Sequence, residues 1–224
     1  EEGTDYTVSY DTENFVDVKT ITVTITGKGN YSGVVTKTYQ ITERPIEVTG
    51  KQEEFTYDGT LHKVEGVTAT NLVEGHKISS KDAVAERTEE GQTNMGLTQS
   101  SSYEIKDAGD KDVTKNYSIS KVTDGYVKIQ RNTTDLKFVE AETTGYNGVY
   151  DGAAHDAVTS VKVTGVNGEE IAAEDMTVEY RLSDEADWGK TPQVTDVADS
   201  TAVQIRVTVA NYDPITTTVQ ATVT

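Results

Sequence analysis

The 224-residue sequence contains no cysteine, which excludes disulfide bonds, thiolate zinc sites and cysteine nucleophiles. Leucine is scarce, with 5 residues against 28 valines and 36 threonines, and this ratio argues against a helical protein because β-branched side chains favour strands. No apolar run reaches the roughly 18 residues that a membrane-spanning helix needs. Because an initiator methionine and a signal peptide are also missing, we expect an internal piece or a mature chain.

Basic residues are few as well: 20 Lys and Arg stand against 38 Asp and Glu, which gives a net charge of −18. This charge disfavours nucleic acids and anionic lipid surfaces, so we predict no nucleic-acid partner and no membrane contact. Residues 132–224 carry most of it, with 16 acidic and 5 basic side chains. We interpret the acidity as a source of solubility, and attraction of Ca²⁺ or of a basic partner stays an alternative.

The sequence shows no constellation typical of catalysis or metal binding. The three histidines, His62, His76 and His155, lack the spacing of a zinc site, and no Gly-x-Ser-x-Gly nucleophile elbow occurs. The acidic segment 107–112 fits a calcium-binding loop poorly, so a β-turn with solvated acids is expected there. We predict a protein that is not an enzyme and has no catalytic residue, cofactor or metal.

Internal repeats decide the expected architecture. Tyr-Asp-Gly, two further residues and His occur at 57–62 and again at 150–155, each time before a Val-rich alternating stretch. The dipeptide Asn-Tyr occurs at 30–31, 116–117 and 211–212, and a Thr- and Val-rich strand follows each occurrence. These two signatures mark the beginning and the end of a repeated unit.

A third match relates the two ends of the chain. Residues 5–10, DYTVSY, resemble residues 175–180, DMTVEY. We therefore predict three segments: the C-terminal half of a repeat at 1–43, a complete repeat at 44–131 and another at 132–224.

Apolar and polar residues alternate strictly at 20–26 and at 203–209, which is typical of strands that bury one face. Asn167 and Gly168, placed between two such stretches, predict a hairpin turn. Short helical turns are expected at 82–89 and 171–175.

Strands separated by turn signals in units of about 90 residues predict an all-β protein of tandem Ig-like antiparallel β-sandwich modules. The junctions between the units are short and are not Gly/Ser-rich, so an elongated arrangement with little hinge freedom is expected. A β-grasp-like or other small sheet with one short helix is the structural alternative.

The repeated motifs resemble a known class of modules, the YDG/MBG-type Ig-like repeats of bacterial surface proteins, which are familiar from Gram-positive cell-wall proteins. The residues that carry this resemblance are Arg-Pro at 44–45, Tyr-Asp-Gly-Thr at 57–60, Gly-His at 75–76, the stretch 107–114, Asn-Tyr at 116–117 and Gly125. The last unit keeps Tyr-Asp-Gly and Asn-Tyr but diverges between them. The resemblance implies extracellular stalks and adhesin segments attached to the cell wall outside this sequence.

We interpret the Tyr-Asp-Gly-x-x-His motif as structural. The tyrosine ring is expected to pack into its sheet, while Asp and Gly supply the hydrogen bond and the positive φ of a tight turn. The residues concerned are Tyr57, Asp58, Gly59 and His62 in one copy and Tyr150, Asp151, Gly152 and His155 in the other.

A ligand contact is predicted at one place only. Trp188, the single tryptophan, and the adjacent Asp187 are suited to stacking on a sugar, although the ring is equally suited to closing the edge of a sandwich.

From these features we predict a non-enzymatic extracellular spacer of a large bacterial surface protein, monomeric, with neighbouring repeats as its partners. The alternative is an adhesin module that binds a glycan, a mucin or a matrix protein through the C-terminal repeat. A Lys–Asn isopeptide cross-link, which would compensate for the missing disulfides, also stays open.

Overall fold

A computed structural model describes all residues, 1–224, and it is all-β, without any α-helix. Five short 3₁₀ turns lie at Thr114–Asn116, Glu140–Glu142, Val166–Gly168, Ala173–Asp175 and Val197–Asp199. The strands are β1 Tyr6–Tyr10, β2 Lys19–Gly27, β3 Val34–Ile41, β4 Arg44–Gly50, β5 Gln52–Thr56, β6 His62–Glu65, β7 Val67–Thr70, β8 Lys77–Ser80, β9 Val84–Arg87, β10 Gly91–Asn94, β11 Tyr103–Lys106, β12 Tyr117–Thr123, β13 Tyr126–Gln130, β14 Lys137–Phe138, β15 Thr144–Gly145, β16 Asn147–Gly148, β17 His155–Asp156, β18 Val158–Ser160, β19 Val163–Thr164, β20 Met176–Arg181, β21 Gln193–Val194, β22 Thr201–Val209 and β23 Ile215–Val223.

The chain divides into two compact units, and each contains more than one segment of sequence. The first comprises Glu1–Gln52, Val64–Ala85 and Asn94–Tyr126. The second comprises Glu53–Lys63, Glu86–Thr93 and Val127–Thr224. The repeat boundaries at 43/44 and 131/132 come from sequence similarity alone and stay a prediction.

The first unit contains an antiparallel sheet in the order β1-β2-β3, a sheet in the order β12-β4-β7 and the pair β11-β8. Alternate residues of β4 point into its core, where Ile46 and Val48 are 1% exposed. Ile105 and Tyr117 pack against them from β11 and β12. The period-2 pattern of valine and isoleucine thus produces the buried face that it predicts.

The second unit is built around a four-stranded sheet in the order β16-β23-β22-β20. All four apolar residues that β22 points inward are buried: Val203, Ile205, Val207 and Val209. The small strand pairs β14-β19, β15-β18 and β17-β21 contribute Val163, Val158 and Val194 to the same core. Two layers of strands therefore enclose one hydrophobic core, as in a β-sandwich.

Two further sheets, in the orders β10-β13-β5 and β6-β9, complete the strand pairing. Most pairs are antiparallel, as predicted, but β12 pairs with β4 and β16 pairs with β23 in parallel. Parallel neighbours need a long crossover connection, and in both cases most of a repeat separates the two strands in sequence. The alternation of apolar and polar residues does not show which distant strands pair in parallel, so these two pairs were not predicted.

The predicted local elements have different outcomes. The hairpin at Asn167 and Gly168 is confirmed: both residues have positive φ, 58° and 74°, as a type I′ turn requires, and Glu169 donates its N–H to the carbonyl of Val166. A helical turn is confirmed at Ala173–Asp175. The expected turn at 82–89 is wrong, because Val84–Arg87 forms strand β9. The helical segments are all short 3₁₀ turns, and none of them could span a membrane.

Candidate functional site

The first Tyr-Asp-Gly motif forms a tight turn that is held by its aspartate. One carboxylate oxygen of Asp58 accepts the backbone N–H of Thr60 at 2.9 Å and lies 3.1 Å from Nε2 of His62. The hydrogen bonds from Thr60 hold the pKa of the Asp58 carboxyl below its usual value. Gly59 has φ +78°, a conformation that favours glycine. The imidazole of His62 stacks on Phe55 with 4.2 Å between ring centroids.

The second Tyr-Asp-Gly motif repeats this geometry. Asp151 accepts the N–H of Ala153 at 2.9 Å and lies 3.0 Å from Nε2 of His155, and its pKa is lowered by those contacts. Gly152 again has φ +78°. His155 stacks on Tyr146 with centroids 4.3 Å apart. The structure therefore places Asp, Gly and His of both motifs in one recurrent turn.

The two motif tyrosines differ from the expectation that each packs into its own sheet. The Tyr57 ring packs edge to face on Tyr212 at 5.4 Å, in the core of residues 132–224, and burial raises the pKa of its hydroxyl. Tyr150, in contrast, is 54% exposed. The difference lies in the neighbours: the ring of Tyr57 lies against the core of residues 132–224, whereas the ring of Tyr150 is open to solvent.

The Asn-Tyr signature forms a corner fixed by the tyrosine hydroxyl. The hydroxyl of Tyr212 accepts the buried N–H of Val166 at 2.9 Å, and that of Tyr117 accepts the N–H of Val73 at 3.2 Å. Tyr117 also hydrogen-bonds to Nδ1 of His76 at 2.6 Å. In both repeats the tyrosine thus ties the segment at or just before a late strand to an earlier loop of the same repeat, and we call this arrangement the Asn-Tyr corner.

The asparagine of the signature makes a contact that sequence reasoning missed. Within the first unit, the amide oxygen of Asn116 accepts the N–H of Val18 at 2.9 Å, and its Nδ2 donates to Asp17 at 2.8 Å. Lys115 adds an ion pair to the same carboxylate at 3.2 Å. Asp17 is 8% exposed, and hydrogen bonds from Asn116, Asn14 and Lys115 hold its pKa well below its usual range.

The same contact occurs a second time, within the second unit. The amide oxygen of Asn211 accepts the N–H of Glu90 at 2.8 Å, and its Nδ2 donates to the carboxylate of Glu89. Arg131 forms an ion pair with Glu90 at 3.1 Å. We call this arrangement the junction latch: an acid and the N–H of the following residue, both bound by the asparagine of an Asn-Tyr corner in the next predicted repeat.

One regularity in the sequence marks the latch in retrospect. Asp17 stands two positions before the start of β2, and Glu89 stands two positions before the start of β10. Acids in turns are too common in this chain for that position to stand out. The third Asn-Tyr pair, at 30–31, is exposed, with Tyr31 at 62%.

The predicted ligand contact, Trp188, lies over the outer face of strands β20 and β22. The guanidinium groups of Arg181 and Arg206 lie 4.4 and 4.6 Å from its ring centroid. Paired bonds between Gly189 and Tyr180 hold the loop against β20. Asp187 is exposed. The half-buried ring is thus already engaged in two cation–π contacts, and its binding of a glycan stays a prediction.

The acidic segment 107–112 is a turn closed by its own backbone. Asp107 accepts the N–H groups of Gly109 at 2.8 Å and Lys111 at 3.0 Å, and Asp110 adopts φ +63°. This is the β-turn that was expected at this position. No group of three or more His, Asp or Glu residues converges anywhere in the chain in a way that would hold a metal ion.

Comparison with known proteins gives distant structural likenesses. No protein family matches the sequence, and no curated protein is significantly similar to it. Ig domains 1 and 2 of DIP-gamma match at 11% identity and TM-score 0.30, over 79% of this chain and 94% of theirs. Extracellular domains 3–5 of Drosophila OTK match at 10% identity and a TM-score of 0.32, over 92% of this chain and 71% of theirs. Domains EC1–3 of mouse clustered PcdhgC3 match at 10% identity and a TM-score of 0.36, over 93% of this chain and 78% of theirs.

Proposed function

We propose that this chain is a non-enzymatic spacer segment of an extracellular bacterial surface protein of the YDG/MBG-type repeat class. The observation that carries the proposal is the junction latch, which occurs at both predicted repeat boundaries with the same donor and acceptor pattern. A spacer must transmit position from one module to the next, and a repeated, directional hydrogen-bonded contact at each boundary serves that purpose.

The remaining motif residues support the same proposal. Each histidine has a local partner: His62 and His155 cap turns, and His76 bonds a tyrosine hydroxyl. These are contacts that hold a repeat together, and the two repeated histidines, His62 and His155, make the same contact in both copies. Attachment to a cell wall and display outside the cell follow from the resemblance of the motifs and are part of the proposal.

Opening both latches tests the proposal in the intact chain. The variant Asn116→Ala/Asn211→Ala removes the amide groups and is compared with Asn30→Ala, which removes an exposed asparagine of the same signature. We expect small-angle scattering of the unmodified chain to give a monomer whose radius of gyration clearly exceeds the ~17 Å of a 224-residue globule. We expect the double variant, but not the control, to show increased flexibility in the same measurement.

Two results would contradict the proposal. A compact monomer near ~17 Å would exclude a spacer. Scattering that is identical for the double variant and for Asn30→Ala would show that the latches do not fix the boundaries.

A further inference from the structure

The chain contains a third copy of the acid position that forms a junction latch. Asp199 stands two positions before the start of β22, as Asp17 does before β2 and Glu89 before β10. The correspondence extends to the strand pairing, because β22 pairs with β20 and β23 as β2 pairs with β1 and β3.

The local turn around Asp199 shares one feature with that around Asp17, namely the position of the residue that fixes the acid. Before Asp17, the side chain of Asn14 accepts the N–H of Asp17 at 3.1 Å and donates to its carboxylate at 2.8 Å. Before Asp199, Asp196 and Asp199 form a reciprocal capping box, with the N–H of Asp196 donating to Asp199 at 2.9 Å. In both turns the residue three positions earlier fixes the acid.

The second Tyr-Asp-Gly turn supplies an independent match, because it lies beside the same part of β23 as the turn of Asp199. The N–H of Tyr57 donates to the carbonyl of Gln130, the last residue of β13, at 2.9 Å. The N–H of Tyr150 donates to the carbonyl of Thr224, directly after β23, at the same distance. Ser200, which follows Asp199, bonds to Val223 through its hydroxyl at 3.0 Å. The tyrosine and the acid position therefore meet beside the last residues of β23.

The surroundings of Tyr57 and Glu89 differ from those of Tyr150 and Asp199 in what covers the side chains. Tyr57 is packed on Tyr212, and Glu89 is bound by Asn211. At the other end Tyr150 is 54% exposed and Val197 is 58% exposed. Asp199 accepts N–H groups from Thr195 and Asp196 through a single oxygen, Oδ2. In the latch formed by Asp17, Asn14 binds Oδ2 and Asn116 binds the other oxygen, Oδ1.

We propose that this end, defined by Tyr150, Val197, Asp199 and Ser200 and called the open end, binds the Asn-Tyr corner of a further repeat of the same kind as 132–224. The partner's asparagine donates to Asp199 and accepts the N–H of Ser200, replacing the long 3.3 Å bond from that N–H to the carbonyl of Val197. Its tyrosine packs on Tyr150 as Tyr212 packs on Tyr57. The inference rests on the proposed function and identifies a further repeat as the partner that binds the open end.

The test appends a second copy of residues 132–224 after Thr224 of the full chain. Amide hydrogen exchange is measured at Ser200 in the extended and in the original protein, with Glu90 as an internal reference for a filled latch. We expect exchange at Ser200 to become at least about tenfold slower in the extended protein.

A substitution then ties that protection to the carboxylate. Asp199→Asn in the first copy keeps a carbonyl oxygen for the capping contacts but presents an N–H group to the donor of the incoming asparagine. We expect this variant to lose the protection at Ser200, while Asp187→Asn, at an exposed acid of the same repeat, keeps it.

The outcomes separate the two proposals. Unchanged exchange at Ser200 with continued protection of Glu90 would overturn the open end and leave the proposed function standing. Rapid exchange at Glu90 and Val18 in the original protein would contradict the latches themselves. Protection of Ser200 that survives Asp199→Asn would show that the added repeat docks in another way, and it would also overturn the inference.

Discussion

The three-stranded sheet β1-β2-β3 and three strands of the four-stranded sheet, β20, β22 and β23, have the same register and very different surroundings. In the first, Tyr10 lies opposite Val23, and in the second, Tyr180 lies opposite Ile205. The agreement continues along all three strands, since Ile25 pairs with Val35 where Val207 pairs with Ile215. The sequence similarity between 5–10 and 175–180 therefore reflects a similarity in strand pairing.

The sheets differ in the layer that lies above them. Val207 is fully buried under the strands of 136–194, whereas Ile25 is 39% exposed and Val35 is 55% exposed. An open groove of about 490 Å³ follows this face and is lined by Tyr6, Ile25 and Tyr31, among others. The comparison teaches that alternation is sufficient to specify strands and register, whereas burial depends on a second layer.

The largest predicted difference between the sheets is the cost of truncating one inward-facing isoleucine. Ile205→Ala leaves a cavity in a filled core, and we expect it to lower the free energy of unfolding by about 2–4 kcal/mol. Ile25→Ala removes a side chain that is already partly in water, and we expect a loss below about 1 kcal/mol. Denaturant unfolding of both variants, followed by circular dichroism, checks this order. Equal losses would mean that the face of β1-β2-β3 is covered in solution.

A smaller effect distinguishes the outer faces of the two sheets. On one sheet Trp188 covers Arg206. On the other sheet the strand position that corresponds to Arg206 is occupied by Thr24. Trp188→Ala removes two cation–π contacts, and we expect a loss of about 1–2 kcal/mol in stability. Thermal unfolding measured by circular dichroism tests this, with Asp187→Ala as the control.

The same variant bears on the adhesin alternative. If Trp188→Ala abolishes binding in a glycan, mucin and matrix-protein screen but unfolds at the same temperature as Asp187→Ala, the ring is a ligand contact and not a packing residue.

The smallest predicted effect is the pH dependence of stability that comes from Asp17, the acid just before β2. The folded-state pKa of Asp17 is lowered by its hydrogen bonds, so its stabilising contribution is present above the unfolded pKa of about 4 and is lost as pH falls through the folded value. We expect Asp17→Asn to flatten the loss of stability on acidification below about pH 4. Unfolding curves at several pH values measure this slope. An unchanged slope would show that the hydrogen bonds from Asn116, Asn14 and Lys115 do not hold the Asp17 carboxylate in solution.

Local sequence patterns predicted the features that depend on neighbouring residues. Alternation predicted β22, and the pair Asn167 and Gly168 predicted the hairpin turn that follows β19, because both follow from backbone sterics and side-chain spacing. At 82–89 a helical turn was expected, but the segment 84–87 pairs as β9 with β6.

The junction latches escaped prediction because they join residues 99 and 122 positions apart, from Asp17 to Asn116 and from Glu89 to Asn211. The motif asparagine was recognised as a marker of the repeat, but nothing in a single sequence says which distant acid it binds. The cation–π contacts of Trp188 with Arg206 depend in the same way on strand pairing that only the fold provides.

The central claim, that the same latch holds both predicted repeat boundaries, is tested most directly by two double-mutant cycles. One combines Asp17→Ala with Asn116→Ala, and the other combines Glu89→Ala with Asn211→Ala. We predict that in each cycle the double variant loses clearly less stability than the sum of its single variants, because the second change removes a partner already lost. Additive losses in both cycles would contradict the account.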